Sequence, residues 1–293
     1  MALVAVTFIW GSTFVLVKDI VEQVPPMFFL TLRFAIGALA LTVMITLARR
    51  WSGFSMRELG WGILIGIVIG FGYAFQTIGL QYTSASNAAF ITGLLVVLAP
   101  IMGLFVLRQV PSRWALFGVI IATVGLALLS LRFDEGVNPN WGDLIVLGCS
   151  FAFALQVVMV AHVARIYDAL RLALVQIVVA GILNGIGALI FEPPPGSIGI
   201  EIWAGAAFLG IMATAVGIGV QVSVQSYTSV VHASLIFTLE PVFAALFGYW
   251  LQNDRLGPIA LSGALLIVAG MIIAELGPYL NRKWTARSNA SNA

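Results

Sequence analysis

Apolar residues along this chain come in long, nearly unbroken runs, with polar positions gathered into short gaps between them. The runs fall at about residues 2–18, 26–48, 59–80, 85–107, 113–131, 142–163, 170–191, 203–225, 230–251 and 257–276. Each is close to the roughly 20 residues of helix that cross a hydrocarbon core about 30 Å thick. The gaps hold turn formers: Pro25-Pro26, Arg49-Arg50-Trp51-Ser52-Gly53, Pro111-Ser112-Arg113, Asn138-Pro139-Asn140, Pro193-Pro194-Pro195-Gly196 and Asn253-Asp254. Backbone in lipid must satisfy its own hydrogen bonds, so runs of this length predict helices. The expected fold class is an all-α membrane protein of ten transmembrane helices.

Composition excludes the soluble alternative. Of 293 residues, 61% are hydrophobic and 9% charged, where a water-facing domain needs roughly a quarter charged. The net charge of +2 is small and the cations are scattered, unlike a nucleic-acid footprint. Lipid and a small molecule are the expected partners, with no nucleic acid; the oligomeric state stays open and a monomer is compatible. Cys149 is the single cysteine, which rules out an intrachain disulfide. The first residues carry no lysine or arginine before the apolar run, so no signal peptide is expected. The Ser-Asn-Ala-Ser-Asn-Ala end from Ser288 reads as a cloning scar or a disordered tail. HExxH, GxSxG, CxxC and Walker lysine motifs are missing, so neither enzyme chemistry nor a metal or cofactor is expected. No polar stretch is long enough for a nucleotide domain that would drive a pump.

Charge sets the expected orientation. One set of gaps plus the C-terminal tail holds Arg49, Arg50, Arg57, Arg108, Arg113, Arg165, Arg171, Arg282, Lys283 and Arg287; the alternate set holds only Lys18, Arg132 and Arg255. Asp19, Glu22, Asp134, Glu135, Asp143, Glu192, Glu201 and Asp254 lie on that alternate side. The cation-rich side should be cytoplasmic and include both termini, which an even number of spans allows. Trp51, Trp61, Trp114, Trp141, Trp203, Trp250 and Trp284 fall at span ends, as indoles at headgroup level do, and only Trp10 falls mid-span.

The chain also reads as two copies. Gln81-Tyr82-Thr83-Ser84 precedes a helix containing Pro100, and Ser226-Tyr227-Thr228-Ser229 precedes one containing Pro241. Similar strings follow each proline, Ile101 to Phe105 and Val242 to Phe247, and each copy closes on a glycine-rich span. Tyr82 to Pro100 is 18 positions and Tyr227 to Pro241 is 14, a difference of about one helical turn that an extra turn in the first copy would explain. Five spans per copy is odd, so the second copy should be inverted, an arrangement typical of secondary transporters.

Three segments carry a family resemblance. Trp10-Gly11-Ser12-Thr13-Phe14, the stretch Tyr82 to Leu94, and Leu239-Glu240-Pro241-Val242 resemble the drug/metabolite transporter superfamily, and within it the ten-helix EamA-type exporters, with YddG-like amino-acid exporters nearest. The resemblance covers residues 1 to about 277. It implies a first five-helix repeat over 1–131, a connecting loop over 132–141, an inverted second repeat over 142–277 and a cytoplasmic tail over 278–293. It further implies a central cavity lined mainly by spans one, three, four, six, eight and nine. The implied activity is export of small metabolites, often amino acids, by alternating access across a bacterial inner membrane. The small four-helix relatives couple protons through a first-span glutamate; here the first span has no acid before Asp19, so that mechanism does not carry over.

Individual residues sharpen this picture. Trp10 either packs between helices or lines the cavity beside Ser12, since a buried indole N–H needs a partner. Span three offers Phe71, Tyr73, Phe75 and Gln76, and a Gly62–Gly66–Gly70 stripe better suited to helix contact. Tyr82 suits an outer mouth, and Phe90 in span four adds a ring; Asn87 and Thr92 of the same span are either interhelical glue or cavity lining. Gln156, Gln176, Asn184, Gln221 and Gln225 are either interhelical glue or cavity lining. Glu240 is deep in span nine beside Pro241, which leaves the Phe237 carbonyl without its usual donor. Glu240 therefore supports the kink or titrates during transport. Arg33 can snorkel outward, pair with Asp19 or Glu22, or grip a substrate carboxylate, and structural pairing is favoured for it and for Lys18. His232 is expected near the cytoplasmic end, in water. A cavity of rings and neutral amides suits aromatic and large apolar amino acids; multidrug or other metabolite carriage, or a membrane-embedded enzyme or scaffold, are the alternatives.

Overall fold

The computed structural model describes residues 1–130, 140–252 and 257–291, and side chains over 1–129, 140–250 and 257–277. Arg132, Asp134, Glu135, Asp254 and Arg255, and the side chains of Arg282, Lys283, Trp284 and Arg287, lie outside what is described. Regular structure among the described residues is all helical. The first half holds α1 (Ala2–Val21), α2 (Pro26–Leu47), α3 (Met56–Gly79), α4 (Ala85–Gly93), α5 (Leu95–Leu107) and α6 (Arg113–Ser130). The second holds α7 (Trp141–Val163), α8 (Ala169–Phe191), α9 (Ile200–Phe208), a π-helical segment (Leu209–Val216), α10 (Gly217–Gln225), α11 (Val230–Phe237), α12 (Leu239–Gln252) and α13 (Pro258–Ser291). Among the described residues nine spans are long and apolar enough to cross a membrane, and the apolar part of α6, Arg113–Leu129, is a shorter tenth. The helix of α13 continues through Ser291, past the disordered tail expected from Ser288. Large apolar residues such as Phe105 and Leu189 are 78% and 88% exposed, a surface that lipid covers.

Local sequence starts these helices. Pro26 opens α2 at the position where a missing N–H costs nothing. Asn140 and Asp143 form a reciprocal capping box at α7. Ser55 accepts from the Glu58 amide, which starts α3 at Met56, three residues earlier than the apolar run suggests, and carries Glu58 into the first turn.

The repeated Tyr-Thr-Ser is a helix N-cap in both copies: Ser84 accepts from the Asn87 amide and Ser229 from the His232 amide. Each capped helix then breaks, at Leu94 between α4 and α5 and at Thr238 between α11 and α12. The first pieces are 9 and 8 residues long, so the extra turn expected in the first copy does not lie there. Pro100 instead sits deeper in its second piece than Pro241 does in its own. The two breaks meet, because a Cβ on Gly93 would lie 3.1 Å from Pro241 Cγ. Spans one to five and six to ten run in the same order with the fourth of each broken, and the odd count turns the second half over.

Packing ties the halves together. The glycine stripe of α3 lies on α8, with Gly62 against Val175, Gly66 against Val179 and Gly70 against Leu183 and Ala180. At the cation-rich end Arg171 of α8 grips the Glu58 carboxylate of α3, with Nε to Oε1 at 2.8 Å and Nη2 to Oε2 at 3.1 Å. Its Nη1 reaches the Arg50 and Ser52 carbonyls, and Arg50 pairs with Asp168 at 3.2 Å. At the opposite end the Glu192 carboxylate accepts from the Met27 and Phe28 amides at 2.7 and 2.8 Å, closing the start of α2 with a side chain from the end of α8. Cys149 is fully buried on α7, 3.8 Å from Thr92 Oγ1.

Candidate functional site

A close crossing of α1 and α12 builds the site. A Cβ on Gly11 would come within 2.9 Å of the Glu240 carbonyl oxygen, so only glycine lets the two backbones approach there. That approach sets Trp10 and Thr13 of α1 beside the Glu240 side chain. Helical spacing adds the other walls. Ile69, Tyr73 and Gln76 share one face of α3, and Phe153, Gln156 and Val157 share one face of α7. Arg33 of α2, Leu95 of α5, Gln221 of α10 and Phe237 of α11 complete an enclosure between the halves.

The enclosure is narrow. Its free volume is about 40 Å³. That admits water but not a bulky solute without widening. By the same measure a separate cleft at the opposite end, between the α1–α2 turn, Gln81 and Glu192, offers about 430 Å³.

One wall is aromatic. The Trp10 and Phe237 rings lie 5.6 Å apart, and Tyr73 and Phe153 meet edge to face at 5.1 Å. The Trp10 indole both faces the pocket and packs, since its Nε1 donates to the Ala213 carbonyl at 2.8 Å. An arginine and a carboxyl group both face the pocket. Arg33 is 2% exposed and turned inward, with its guanidinium carbon 4.8 Å from the Tyr73 ring centroid and its Nε donating to Thr214 Oγ1 at 2.8 Å. It pairs with neither Asp19 nor Glu22, the pairing favoured from sequence, and it does not snorkel. Among the described residues no hydrogen bond or ion pair within 4.0 Å engages the Glu240 carboxylate, which opens on the pocket.

Amides line the remaining side. Gln156 Nε2 donates to Gln176 Oε1 at 3.2 Å, Gln221 Nε2 to Gln156 Oε1 at 2.9 Å and to Gln225 Oε1 at 3.0 Å, and Gln225 Nε2 to the Val157 carbonyl at 3.1 Å. Four glutamines from α7, α8 and α10 thus form one chain. Gln156 and Gln221 touch the pocket, while Gln176 and Gln225 act as interhelical glue. Gln76 Nε2 donates to Thr92 Oγ1 at 3.3 Å.

The structure therefore gathers Trp10, Arg33, Tyr73, Gln76, Gln156, Gln221, Phe237 and Glu240 in one place. Other candidates lie elsewhere. Phe71 and Phe75 stack on each other at 6.1 Å and are 47% and 38% exposed on the other face of α3. Tyr82 is exposed at the end of α3, and Ser12 bonds back to the Ile9 carbonyl. Asn87 sits in the first turn of α4, Phe90 packs in the apolar cluster around Leu126, and Pro241 meets Gly93. Lys18 donates to the Leu80 carbonyl at 2.6 Å and pairs with Glu22 at 3.6 Å. His232 contacts its own N-cap, Ser229 Oγ, at 2.6 Å and Glu275 at 3.4 Å. Thr13, one of the small residues beside Trp10, lines the pocket, and Ile69, Leu95, Phe153 and Val157 line it without having been singled out. Phe153 had a usable signal, standing three residues before Gln156 and so on its face.

Comparison with known proteins gives a consistent result. Residues 1–131 and 140–275 match the description "EamA-like transporter family". An uncharacterized transporter of Archaeoglobus fulgidus is 35% identical over 277 residues, covering 94% of this chain and 85% of its own. The uncharacterized transporter YoaV of Bacillus subtilis is 23% identical, covering 93% and 95% of the two chains. The uncharacterized inner membrane transporter YedA of Escherichia coli K12 is 24% identical, covering 95% and 91%. A solved crystal structure superposes with a TM-score of 0.78 over 94% of this chain and 95% of its own, at 19% identity, which speaks to the fold.

Proposed function

This chain belongs to the EamA-like transporter family, and from that premise we propose that it exports small metabolites by alternating access, with amino acids bearing aromatic or large apolar side chains as the best fit. One observation carries the reading: Arg33 and Glu240 face a single pocket whose other wall is Trp10, Tyr73, Phe153 and Phe237. An amino acid brings one charge of each sign and one side chain. The pocket offers a cation for the carboxylate, an anion for the ammonium, and rings for an apolar side chain. A substrate with a further side-chain charge finds no counter-ion there, and its desolvation costs several kcal/mol or more.

Inverted halves with a broken helix in each support alternating access, because the two can exchange roles around a fixed midplane site. The pocket's small free volume fits a contracted state that widens to load. The cation asymmetry supports both termini in the cytoplasm, and the Escherichia coli relative named an inner membrane transporter supports a bacterial inner-membrane location; a cysteine placed at Lys283 should resist impermeant thiol reagents applied to intact cells. The deciding experiment is uptake into proteoliposomes of labelled L-phenylalanine, L-leucine, L-lysine and L-glutamate, with and without a pH gradient. Saturable uptake of the first two without need of the gradient is expected. Uptake of organic cations in their place would assign multidrug carriage instead.

A further inference from the structure

The eighth span becomes π-helical over Leu209–Val216, behind the pocket wall. Single π turns inside α-helices recur at functional sites, because they expose backbone groups and re-aim side chains. Here two successive residues of the π segment receive pocket side chains. The Ala213 carbonyl accepts from Trp10 and the Thr214 hydroxyl oxygen accepts from Arg33. Thr214 itself is fully buried and does not line the pocket. The π segment and α2 touch backbone to backbone: a Cβ on Gly210 would lie 2.8 Å from the Arg33 carbonyl oxygen, and one on Gly37 would lie 2.9 Å from the Gly210 carbonyl oxygen. Thr214 thus faces Arg33 across a contact that leaves no room for drift.

Guanidinium geometry then limits what Arg33 can do. A carboxylate can be gripped in bidentate fashion along the Nε–Nη edge or along the Nη1–Nη2 edge. Thr214 occupies Nε, and the Tyr73 ring lies 4.8 Å from the guanidinium carbon. Among the described residues Nε is the one guanidinium nitrogen with a hydrogen bond inside 3.5 Å, and Tyr73, whose side chain lies against the guanidinium, is a further polar neighbour. We propose that Thr214 is a positioning residue: it fixes Arg33 so that a substrate carboxylate is held end-on by the Nη pair alone. The inference rests on the amino-acid reading of the pocket and adds to it a residue that never touches substrate.

Two substitutions separate positioning from packing. Thr214→Val keeps the shape and removes the acceptor; Thr214→Ser keeps the acceptor and removes a methyl. Dissociation constants for L-phenylalanine and for 3-phenylpropionate, a carboxylate without an ammonium, are measured by calorimetry on purified protein, with melting temperature followed in parallel. Positioning predicts that Thr214→Val weakens both ligands about tenfold while Thr214→Ser stays near wild type. Packing predicts the reverse order, and that order, or unchanged affinity in Thr214→Val, overturns the proposal. If wild type binds 3-phenylpropionate but not L-phenylalanine, the amino-acid reading falls and the carboxylate grip is still decided by the same two variants. If wild type binds neither, both fall.

Discussion

Arg171 holds Glu58 through two nitrogens, at 2.8 and 3.1 Å, and joins α8 of the second half to α3 of the first. Glu58 is 1% exposed. Removing Glu58 leaves the Arg171 charge without its carboxylate, held only by the Arg50 and Ser52 carbonyls, which destabilises the fold. Glu58→Gln should therefore lower the melting temperature in detergent strongly. Arg171→Lys should not rescue it, because a single ammonium cannot reproduce the fork or reach the Arg50 and Ser52 carbonyls as well. The double change Glu58→Gln with Arg171→Met should be more stable than Glu58→Gln alone, and a double variant no better than the single one would refute the coupling.

Trp10→Phe retains a ring in the pocket and deletes the indole donor. The Ala213 carbonyl then loses that donor inside the bundle, at a cost of about 1 kcal/mol. The expected result is a clear drop in thermal stability with partial retention of L-phenylalanine uptake, whereas Trp10→Ala should lose most uptake. Normal stability of Trp10→Phe would mean that Ala213 finds another partner.

Glu240→Gln removes the pocket's anion at nearly constant volume. The proposed site then keeps only its cation. Affinity for zwitterions should fall about tenfold, roughly the 1.4 kcal/mol of one lost charge-assisted contact, while 3-phenylpropionate should hold or improve. Equal effects on both ligands would assign Glu240 to the kink beside Pro241 and not to recognition.

Gln156 is the middle of the four-glutamine chain. Interhelical hydrogen bonds in membranes are modest, about 0.6 kcal/mol on average, but Gln156→Leu orphans groups on both Gln176 and Gln221. A loss of about 1–2 kcal/mol is expected, larger than for Gln225→Leu at the chain's end. A thermal-stability series that ranks the two the other way would argue against a connected chain.

The sequence disclosed the spans well because lipid imposes a length that runs of apolar residues report directly. Pro26, Ala85 and Val230 stand where the apolar runs place the starts of their helices. It disclosed faces poorly for the same reason. A span apolar all round has no polar side to orient it, so Phe71 and Phe75 read like Tyr73, although positions 69, 73 and 76 share a face that excludes 71 and 75. The π segment left no mark either, since Leu209–Val216 is apolar at every position except Thr214. Glu58 went unnoticed because the apolar run starts after it, though Ser55-Met56-Arg57-Glu58 carries the serine-to-glutamate spacing of a helix start. Arg33 was legible as unusual but not as turned inward, which depends on Thr214, 181 residues away.

Cys149 has a practical consequence of its own. It is the chain's single thiol, and it is sealed between α7 and α4 with no exposed surface. A maleimide should leave the folded carrier unlabelled, so a cysteine introduced elsewhere reports alone, with the native thiol left in place. Labelling of Cys149 itself then requires the fourth and sixth spans to separate. At reagent concentrations where modification outpaces reclosing, its labelling rate clocks that opening; at lower concentrations it gives the opening equilibrium. The wild-type protein therefore carries a built-in gauge of how often the bundle breathes, readable in native membranes without denaturant.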